Sequence, residues 1–533
     1  ARRARRQHNH NHNHSNQPTF TMKRNYLDEA KDDTTTCTTS SGSETSCCFL
    51  HPIHVLSSGG NGGSHGVGGA SVTSSQSAPL QSRQGGSNDN DAAPSETEKL
   101  ISEGLQNMSF QERDVIYEEV HGVGRVVQEN PEFVESKLSL LDRHLQLISN
   151  KDAYNRAYFL SRAFVQDRDF RLMFLRADQF DARQSAKRIV AHFEHKLKYF
   201  GMGCVARRLQ WSDLTPDDKE LVKSGCFHMF PDCCDSIGRL LCVNVFKYRT
   251  GKVKNDASFS RAFWYIAMQA IERSDEVAQR KGSVPVLYPL DTSYSDLRRE
   301  VIREARNVVF DTLPGRVTGA HMCFSNGLVK NLFSALVKAA PREVRARTKI
   351  HGQSHLECQY HLNSFGITAD VFPVDGDGNL KRKLLDERLQ ALHDDETERI
   401  RAEQSEREER LENGEGIARP NENDILCGRG SIRCSFTGNI AFTTLLETNL
   451  KRYQAVPQSD RASKSAITED LLETLRANGA RFLEYRKDLD DGLWYEVSRK
   501  TARDKIAMGF RNATRREKKK TNHHPSEEVV SML

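Results

Sequence analysis

The sequence predicts an α/β protein: an N-terminal helical lobe, a mainly parallel sheet with flanking helices, and a second, small α+β module, all behind a disordered N-terminal tail. Three observations carry this prediction. Beyond Ser95 the apolar residues recur at helical spacing. From Gly238 to Gly352 short apolar runs alternate with helix-length segments, the pattern of parallel strands joined by right-handed crossovers. Near the C-terminus two short extended runs flank Asp490-Asp-Gly492, a hairpin turn.

Composition bounds what the chain does. Of its 533 residues 37% are hydrophobic and 28% charged, so a good part never enters a core. Lys and Arg total 77 against 72 Asp and Glu, a net charge of +5. That excludes a uniformly basic nucleic-acid coat protein, and any basic partner surface must be local. No apolar run approaches the roughly 20 residues of a membrane span, so no transmembrane helix is predicted. The basic start Ala1 to Arg6 runs into His and Asn rather than an apolar stretch, so no secretory signal peptide is expected. The 12 cysteines then read as reduced thiols of a cytoplasmic or nuclear protein.

In chain order, residues 1–94 are low complexity, with alternating His-Asn, Ser/Thr-rich and Gly-rich tracts that cannot offset chain entropy, so disorder is expected. The chain begins without Met, and Met22-Lys23-Arg24 offers a start further in. Residues 95–379 form the α/β domain. Ser95 to Glu98 signals a helix start, and helices are expected at Glu98 to Met108, Phe110 to Glu119, Pro131 to Ser149 and Ala153 to Val165. Extended segments are expected at Gly238 to Lys247, Ser283 to Leu290, Val317 to Phe324 and Thr348 to Gly352. Between and after them fall helical patterns at Phe259 to Arg280, Asp296 to Leu313, Gly327 to Ala339 and Ser354 to Phe365.

Arg168 to Asp181 (RDFRLMFLRADQFD), followed by Ala186, places Leu172, Leu175, Phe180 and Ile189 on one buried side and leaves Arg171, Arg176 and Arg188 to solvent or to acids. The phrase resembles the lobe signature of the CRAL-TRIO lipid-binding and transfer family, D-x-x-L-x-R-F-L-R-A-R-x-F-D. Asp169, Leu172, Phe174, Leu175, Arg176, Ala177, Phe180, Asp181 and Ala186 match it. Gly238-Arg239, Lys281-Gly282, Leu313 to Arg316, Arg345 to Gly352 and Gly366 to Pro373 resemble later family segments in the family's order. Two turns depart from its pattern, at Pro289-Leu-Asp291 and at Val374 to Gly378.

The resemblance implies a sheet floor under a helical gate, enclosing a small hydrophobic or lipid ligand. Val243, Val245, Val286, Tyr288, Met322 and Phe324 would line a pocket beneath Leu328, Leu332 and Phe333. The same residues also suit the core of a parallel sheet, which is apolar on both faces. Arg316, Lys330, Arg345, Arg347 and Lys349 are candidates for an anionic head group or peripheral membrane contact, or else solvated surface.

Residues 380–419 are a charged helical linker or coiled coil. Lys381 to Glu412 holds 8 basic and 11 acidic residues and almost no apolar stripe after Leu392, which predicts a solvated helix or flexible connection. Residues 420–520 form the α+β module, with 521–533 as a tail. Asn423-Asp-Ile-Leu-Cys-Gly-Arg-Gly430 opens it. Asp424 is expected to cap a turn, and Gly428 and Gly430 permit positive φ, so that backbone N–H groups around Arg429 form an anion-binding concavity, or the phrase is a purely structural turn. Helices at Ile440 to Tyr453 and Ser463 to Asn478 follow, then strands at Ala480 to Tyr485 and Leu493 to Val497, and a helix from Ser498 to Arg516.

That opening phrase, with Gly438-Asn439 and Phe442, Gly479 to Leu483, Trp494-Tyr495 and Val497, and Ala502-Arg503 and Lys505, resembles an uncharacterised domain family recurrent in algal proteins, which implies no activity. Helices, a hairpin and a basic helix also suit a winged-helix layout. Lys505, Arg511, Arg515, Arg516, Lys518, Lys519 and Lys520 stand against Glu517 alone, and with Arg429 they are candidates for nucleic-acid contact, the bland alternative being a solubilising tail on a protein-binding module.

Other constellations are weaker. The spacing of Cys226, Cys233, Cys234 and Cys242 is not that of a zinc site, Cys427 and Cys434 make two ligands at most, and His351, His355 and His361 lack a nucleophile at recognisable spacing. No metal, cofactor or enzyme activity is predicted. The expectation is a non-enzymatic binder of a hydrophobic ligand coupled to an interaction module. The runner-up is a nuclear nucleic-acid-associated or regulatory protein working through the C-terminal module.

Overall fold

The computed structural model describes residues 96–124, 126–249, 251–253, 255–297, 312–324, 342–352, 354–486, 489 and 491–522. Residues 1–94, with the low-complexity tracts, lie outside them. Local chemistry starts each lobe helix. In α2 (Phe110–His121, after α1, Glu96–Gln106) Ser109 and Glu112 form a reciprocal capping box, and in α3 (Pro131–Leu147) Asn130 caps a helix that opens on Pro131.

The single helix expected at Ala153 to Val165 is two, α4 (Asp152–Leu160) and α5 (Arg162–Val165), because the Ser161 hydroxyl takes the Phe164 N–H and restarts the chain. Then come α6 (Arg168–Ala177), α7 (Ala182–Phe200) and α8 (Pro216–Lys223). Leu172, Leu175, Phe180 and Ile189 are buried as their spacing predicts. The three arginines go to acids: Arg176 grips Glu129 at 2.9 and 2.8 Å, Arg188 grips Asp178, and Arg171 reaches Asp142.

The large sheet runs β1 (Phe227–His228), β2 (Leu240–Val245), β3 (Ser283–Tyr288), β4 (Ala320–Phe324), β5 (Thr348–Gly352), in that spatial order. All pairs are parallel except β1 with β2. Strand β1 was not expected, since two residues carry no periodicity. Between β2 and β3 lie α9 (Phe246–Arg249), α10 (Asp256–Arg273) and α11 (Glu276–Lys281). The break before α11 is set by Asp275, which caps it. Helix α12 (Arg342–Arg347) leads into β5 and α13 (His355–Asn363) follows it. The helices expected at 296–313 and 327–339 lie largely outside the described residues.

The charged segment is the continuous helix α14 (Arg382–Glu412), and it is not solvated all round. Leu385, Arg388, Leu392 and Glu396 are buried on one side. The Glu396 carboxylate accepts from the Trp211 N–H at 2.7 Å and the Tyr265 hydroxyl at 2.9 Å, and Arg388 reaches Asp232 at 2.8 Å. Hydropathy counts Arg388 and Glu396 as surface, whereas each buries because a distant partner satisfies it.

The C-terminal module contains β6 (Ile425–Leu426), α15 (Ser431–Cys434), α16 (Thr437–Thr448), α17 (Leu450–Ala455), α18 (Arg461–Ala477), β7 (Phe482–Tyr485), β8 (Trp494–Glu496) and α19 (Arg499–Asn522). Its sheet order is β6-β7-β8, with the expected β7–β8 hairpin and an additional parallel strand, β6. Among the described residues no helix is long and apolar enough to cross a membrane.

Candidate functional site

Strand register divides the pocket candidates. Val243 pairs with Val286 and Val245 with Tyr288, while Val286 pairs with His321. Since side chains alternate along a strand, Val243, Val245, Val286, Tyr288, His321 and Cys323 share one face of the sheet. Met322 and Phe324 stand on the other. The first face packs on α13 and its neighbours: the Tyr288 ring meets Phe372 edge-on at 5.2 Å and its hydroxyl meets His355. On the second face Phe227, paired to Asn244, packs on Phe259 and Phe263 of α10. The nine candidates therefore do not line one pocket. Val243, Val245, Val286 and Tyr288 belong to the main core, at 2% exposure or less. Met322 and Phe324 belong to a separate apolar cluster with Phe246 and Leu297, flanked by Ile101, Leu287 and Ile350. Leu328, Leu332 and Phe333 lie outside the described residues.

The first face carries an arrangement that the sequence did not reveal. The Tyr288 hydroxyl is 2.9 Å from His355 Nδ1, His355 Nε2 is 3.0 Å from Asp291 Oδ2, and Lys247 Nζ is 3.0 Å from the same oxygen. Burial pushes the Tyr288 hydroxyl far up, so it stays protonated and donates to His355. Burial also opposes ionisation of Asp291, yet Lys247 and His355 hold its carboxyl below the usual range. Chemically this relay fixes a ring and a turn. With its hydroxyl buried and protonated, Tyr288 is a poor nucleophile. Elsewhere His321 Nδ1 and His351 Nε2 are 2.8 Å apart, with the rings stacked. Among the described residues no group of three or more His, Cys, Asp or Glu is placed to hold a metal ion.

Two of the head-group candidates are committed inside the protein. Glu119, near the end of α2, accepts from Arg316 Nη1 at 2.7 Å and Arg347 Nε at 2.7 Å. Arg239, only 1% exposed, donates to the Glu119 and Val120 carbonyls and pairs with Asp235 at 2.6 Å. Arg316 and Arg347 thus bind α2 to the sheet rather than facing a membrane. Arg345 and Lys349 are half-buried, and burial lowers the Lys349 pKa. Lys330 lies outside the described residues.

In the C-terminal module Gly428 and Gly430 adopt φ of 102° and 128°, as the phrase requires. The anion concavity does not follow. Arg433 donates to the Arg429 carbonyl at 2.7 Å, its guanidinium lies against Gly428, and the Arg429 side chain is exposed. Asp424 does close a turn, its carboxylate accepting from the Asn421 N–H, but it does so buried and also accepts from Arg407.

Asn439 explains part of the motif. Its Oδ1 accepts from the Leu426 N–H at 2.7 Å and its Nδ2 donates to the Leu426 carbonyl at 3.0 Å, so the amide takes the place of a neighbouring strand at β6. Gly438 must precede it, because a Cβ there would stand 2.1 Å from the Asp424 carbonyl oxygen. Lys505 also donates to the Leu426 carbonyl at 2.9 Å and so leaves the nucleic-acid candidates. What remains on α19 is a solvent-facing line, Arg511, Arg515 and Lys518, with Arg516 exposed beside it. Their spacing puts the first three on one face, opposite the buried Ile506, Phe510 and Ala513. The side chains of Lys519 and Lys520 lie outside the described residues.

The module is joined to the lobe through Trp494. Its ring is fully buried and meets Phe159 edge-on at 5.3 Å, and its Nε1 donates to the Leu160 carbonyl at 3.1 Å. Ile417 and Trp494 exchange backbone hydrogen bonds at 2.8 and 2.9 Å, and Arg433 lies over the Phe159 ring at 4.7 Å.

Residues 424–512 match a family described as a domain of unknown function, DUF6824, a stretch that begins at buried Asp424 and ends on α19. No curated protein matches the chain.

Proposed function

We propose that the protein is a non-enzymatic binder of a small hydrophobic molecule, a lipid in the CRAL-TRIO manner, held on the Met322–Phe324 face of the large sheet. One observation carries this reading. The sheet has a second apolar cluster, Phe246, Leu297, Met322 and Phe324, separate from the main core, with Ile101 of α1 packed against it. These residues are buried inside the chain, so a ligand held there would share an enclosed apolar lining with Leu287 and Ile350, whereas Tyr288 on the opposite face is taken by Phe372 and His355.

Organic extracts of the purified full chain are expected to contain a hydrophobe in near-stoichiometric amount when analysed by mass spectrometry. A Phe324→Trp variant should change its fluorescence on uptake of a fluorescent fatty acid, and Tyr288→Trp should not. Empty extracts together with no uptake of the fatty acid would end this reading.

A second reading is favoured by the line of Arg511, Arg515 and Lys518 on α19, which suits contact with the phosphates of nucleic acid. Random duplex DNA is then expected to bind at low salt, with log affinity falling by about 0.9 per log unit of salt for each phosphate contact. The Arg511→Ala, Arg515→Ala double variant should lower that slope by about two. Absence of binding in low salt rules the reading out.

A further inference from the structure

A cleft of about 440 Å³ lies where the lobe, α14 and the approach to the C-terminal module meet. Five arginines line it, Arg207, Arg208, Arg407, Arg410 and Arg419, against the three acids Asp167, Glu403 and Glu406. Each acid has work of its own. Asp167 caps α6 at 2.7 Å from the Phe170 N–H, Glu406 pairs with Arg410, and Glu403 lies 3.9 Å from Arg399.

Four of the arginines are likewise held. Arg207 grips Asp213 at 2.7 and 2.6 Å, Arg208 pairs with Glu272, Arg407 with Asp424, and Arg410 donates to the Gly416 carbonyl at 2.9 Å. Arg419 differs. It is half-buried, and among the described residues its guanidinium makes no hydrogen bond and no ion pair. Burial, then the neighbouring charge of Arg207, pull its pKa down to about 10 despite Glu403 and Glu422. A half-buried cation with no direct partner, acted on by Arg207 and Arg407, is destabilised, and an incoming anion relieves that. The wall completes the site: Phe164, Phe170 and Ile417 keep part of the cleft apolar, which strengthens an ionic contact made there.

We propose that this cleft is a binding site for a phosphate group, with Arg419 as its principal ligand and Arg207 and Arg407 adding to the positive field. A guanidinium without a direct partner, with Arg207 and Arg407 acting on it, presents the paired donors that suit the oxygens of a phosphate group. Because the cleft is built by Ser161 to Phe170 of the lobe, by α14 and by residues 417–419 ahead of the module, bound phosphate fastens the module to the lobe. The site is distinct from the apolar face of the sheet and stands or falls independently of it.

The test uses the purified full chain, with pyrophosphate and vesicles containing phosphatidic acid as alternative sources of the phosphate group. One source is expected to act: pyrophosphate by raising the melting temperature in low salt, or the vesicles by retaining the protein in flotation. Either response should weaken at least about tenfold in Arg419→Gln and be unchanged in the exposed-site control Arg429→Gln. Without ligand Arg419→Gln should melt at or above the parent temperature, because it removes an unpaired charge. The proposal is overturned if neither source acts, if Arg419→Gln responds like the parent, or if that variant is destabilised without ligand.

Discussion

Acidification from about pH 7.5 to about pH 5 is expected to remove most of the stability of the α/β domain, with uptake of several protons on unfolding. His192, His228, His321 and His351 are buried in the folded chain. His192 Nδ1 is 3.0 Å from the Thr312 carbonyl and His228 Nε2 is 2.9 Å from the Gly225 carbonyl, so in each ring that nitrogen carries the proton. The second nitrogens of His192, His228 and His321 are buried and meet no partner among the described residues. A second proton there is a buried charge without an acceptor.

Burial accordingly pushes His228 down from 6.5 to about 3 and His351 to about 4, and it drives His192 and His321 well below the ordinary value. Above the unfolded value neither state is charged, and stability is intact. Below it the unfolded chain takes up protons that the folded chain refuses, so stability falls until the folded values are reached. By about pH 5 each ring subtracts about 2 kcal/mol, roughly 8 kcal/mol together, against a typical total of about 5–15. Glu272 and Asp424, raised by burial, act with the opposite sign and offset a part. Urea midpoints measured across this pH range check the expectation. A midpoint that stays level from pH 7.5 to 5 contradicts it.

The histidines also show what a sequence hides. His321 and His351 read as polar residues on strands, and only the pairing of Cys323 with His351 and of His321 with Lys349 reveals that one face collects them. The same register explains the divided pocket. Alternation along β3 and along β4 is visible separately, but which residue of one strand faces which of the next depends on crossovers whose geometry no single chain segment encodes. Long elements with caps were legible: Ser109 with Glu112, Asn130 with Pro131, and Ser354 with Glu357 mark helix starts that the structure keeps. Glycines with a stated backbone need were legible too, at Gly428 and Gly430. Hidden were elements of two residues, β1 and β6, and charged groups that bury against distant partners, such as Glu396 on Tyr265 and Lys505 on the Leu426 carbonyl. In each hidden case the deciding partner is far along the chain, so local composition points the wrong way.

Trp494→Ala is expected to release the C-terminal module from the lobe while leaving the module folded. The indole is fully buried, and truncating so large a ring in a packed core typically costs about 3–5 kcal/mol. Its role at the joint comes from Ser161. Because Ser161 captures the Phe164 N–H, the Leu160 carbonyl has no helical partner and takes the Trp494 Nε1 instead. Trp494→Phe keeps most of the apolar area but strands that carbonyl, so it should cost less, about 1–3 kcal/mol. The module's other sheet face has its own core, in which Ile425 and Phe482 pack with Phe442, Ile506 and Phe510. Leu426, Leu483 and Trp494 belong instead to the core shared with the lobe. The consequence is spatially selective. Hydrogen exchange in Trp494→Ala should rise around Phe159 to Phe164, Ile417 and the β7–β8 hairpin, with α18 and α19 near their parent values. Uniform loss of protection across the module would mean that it cannot stand without the lobe, and unchanged exchange at Phe159 to Phe164 would mean that Trp494 does not hold the joint.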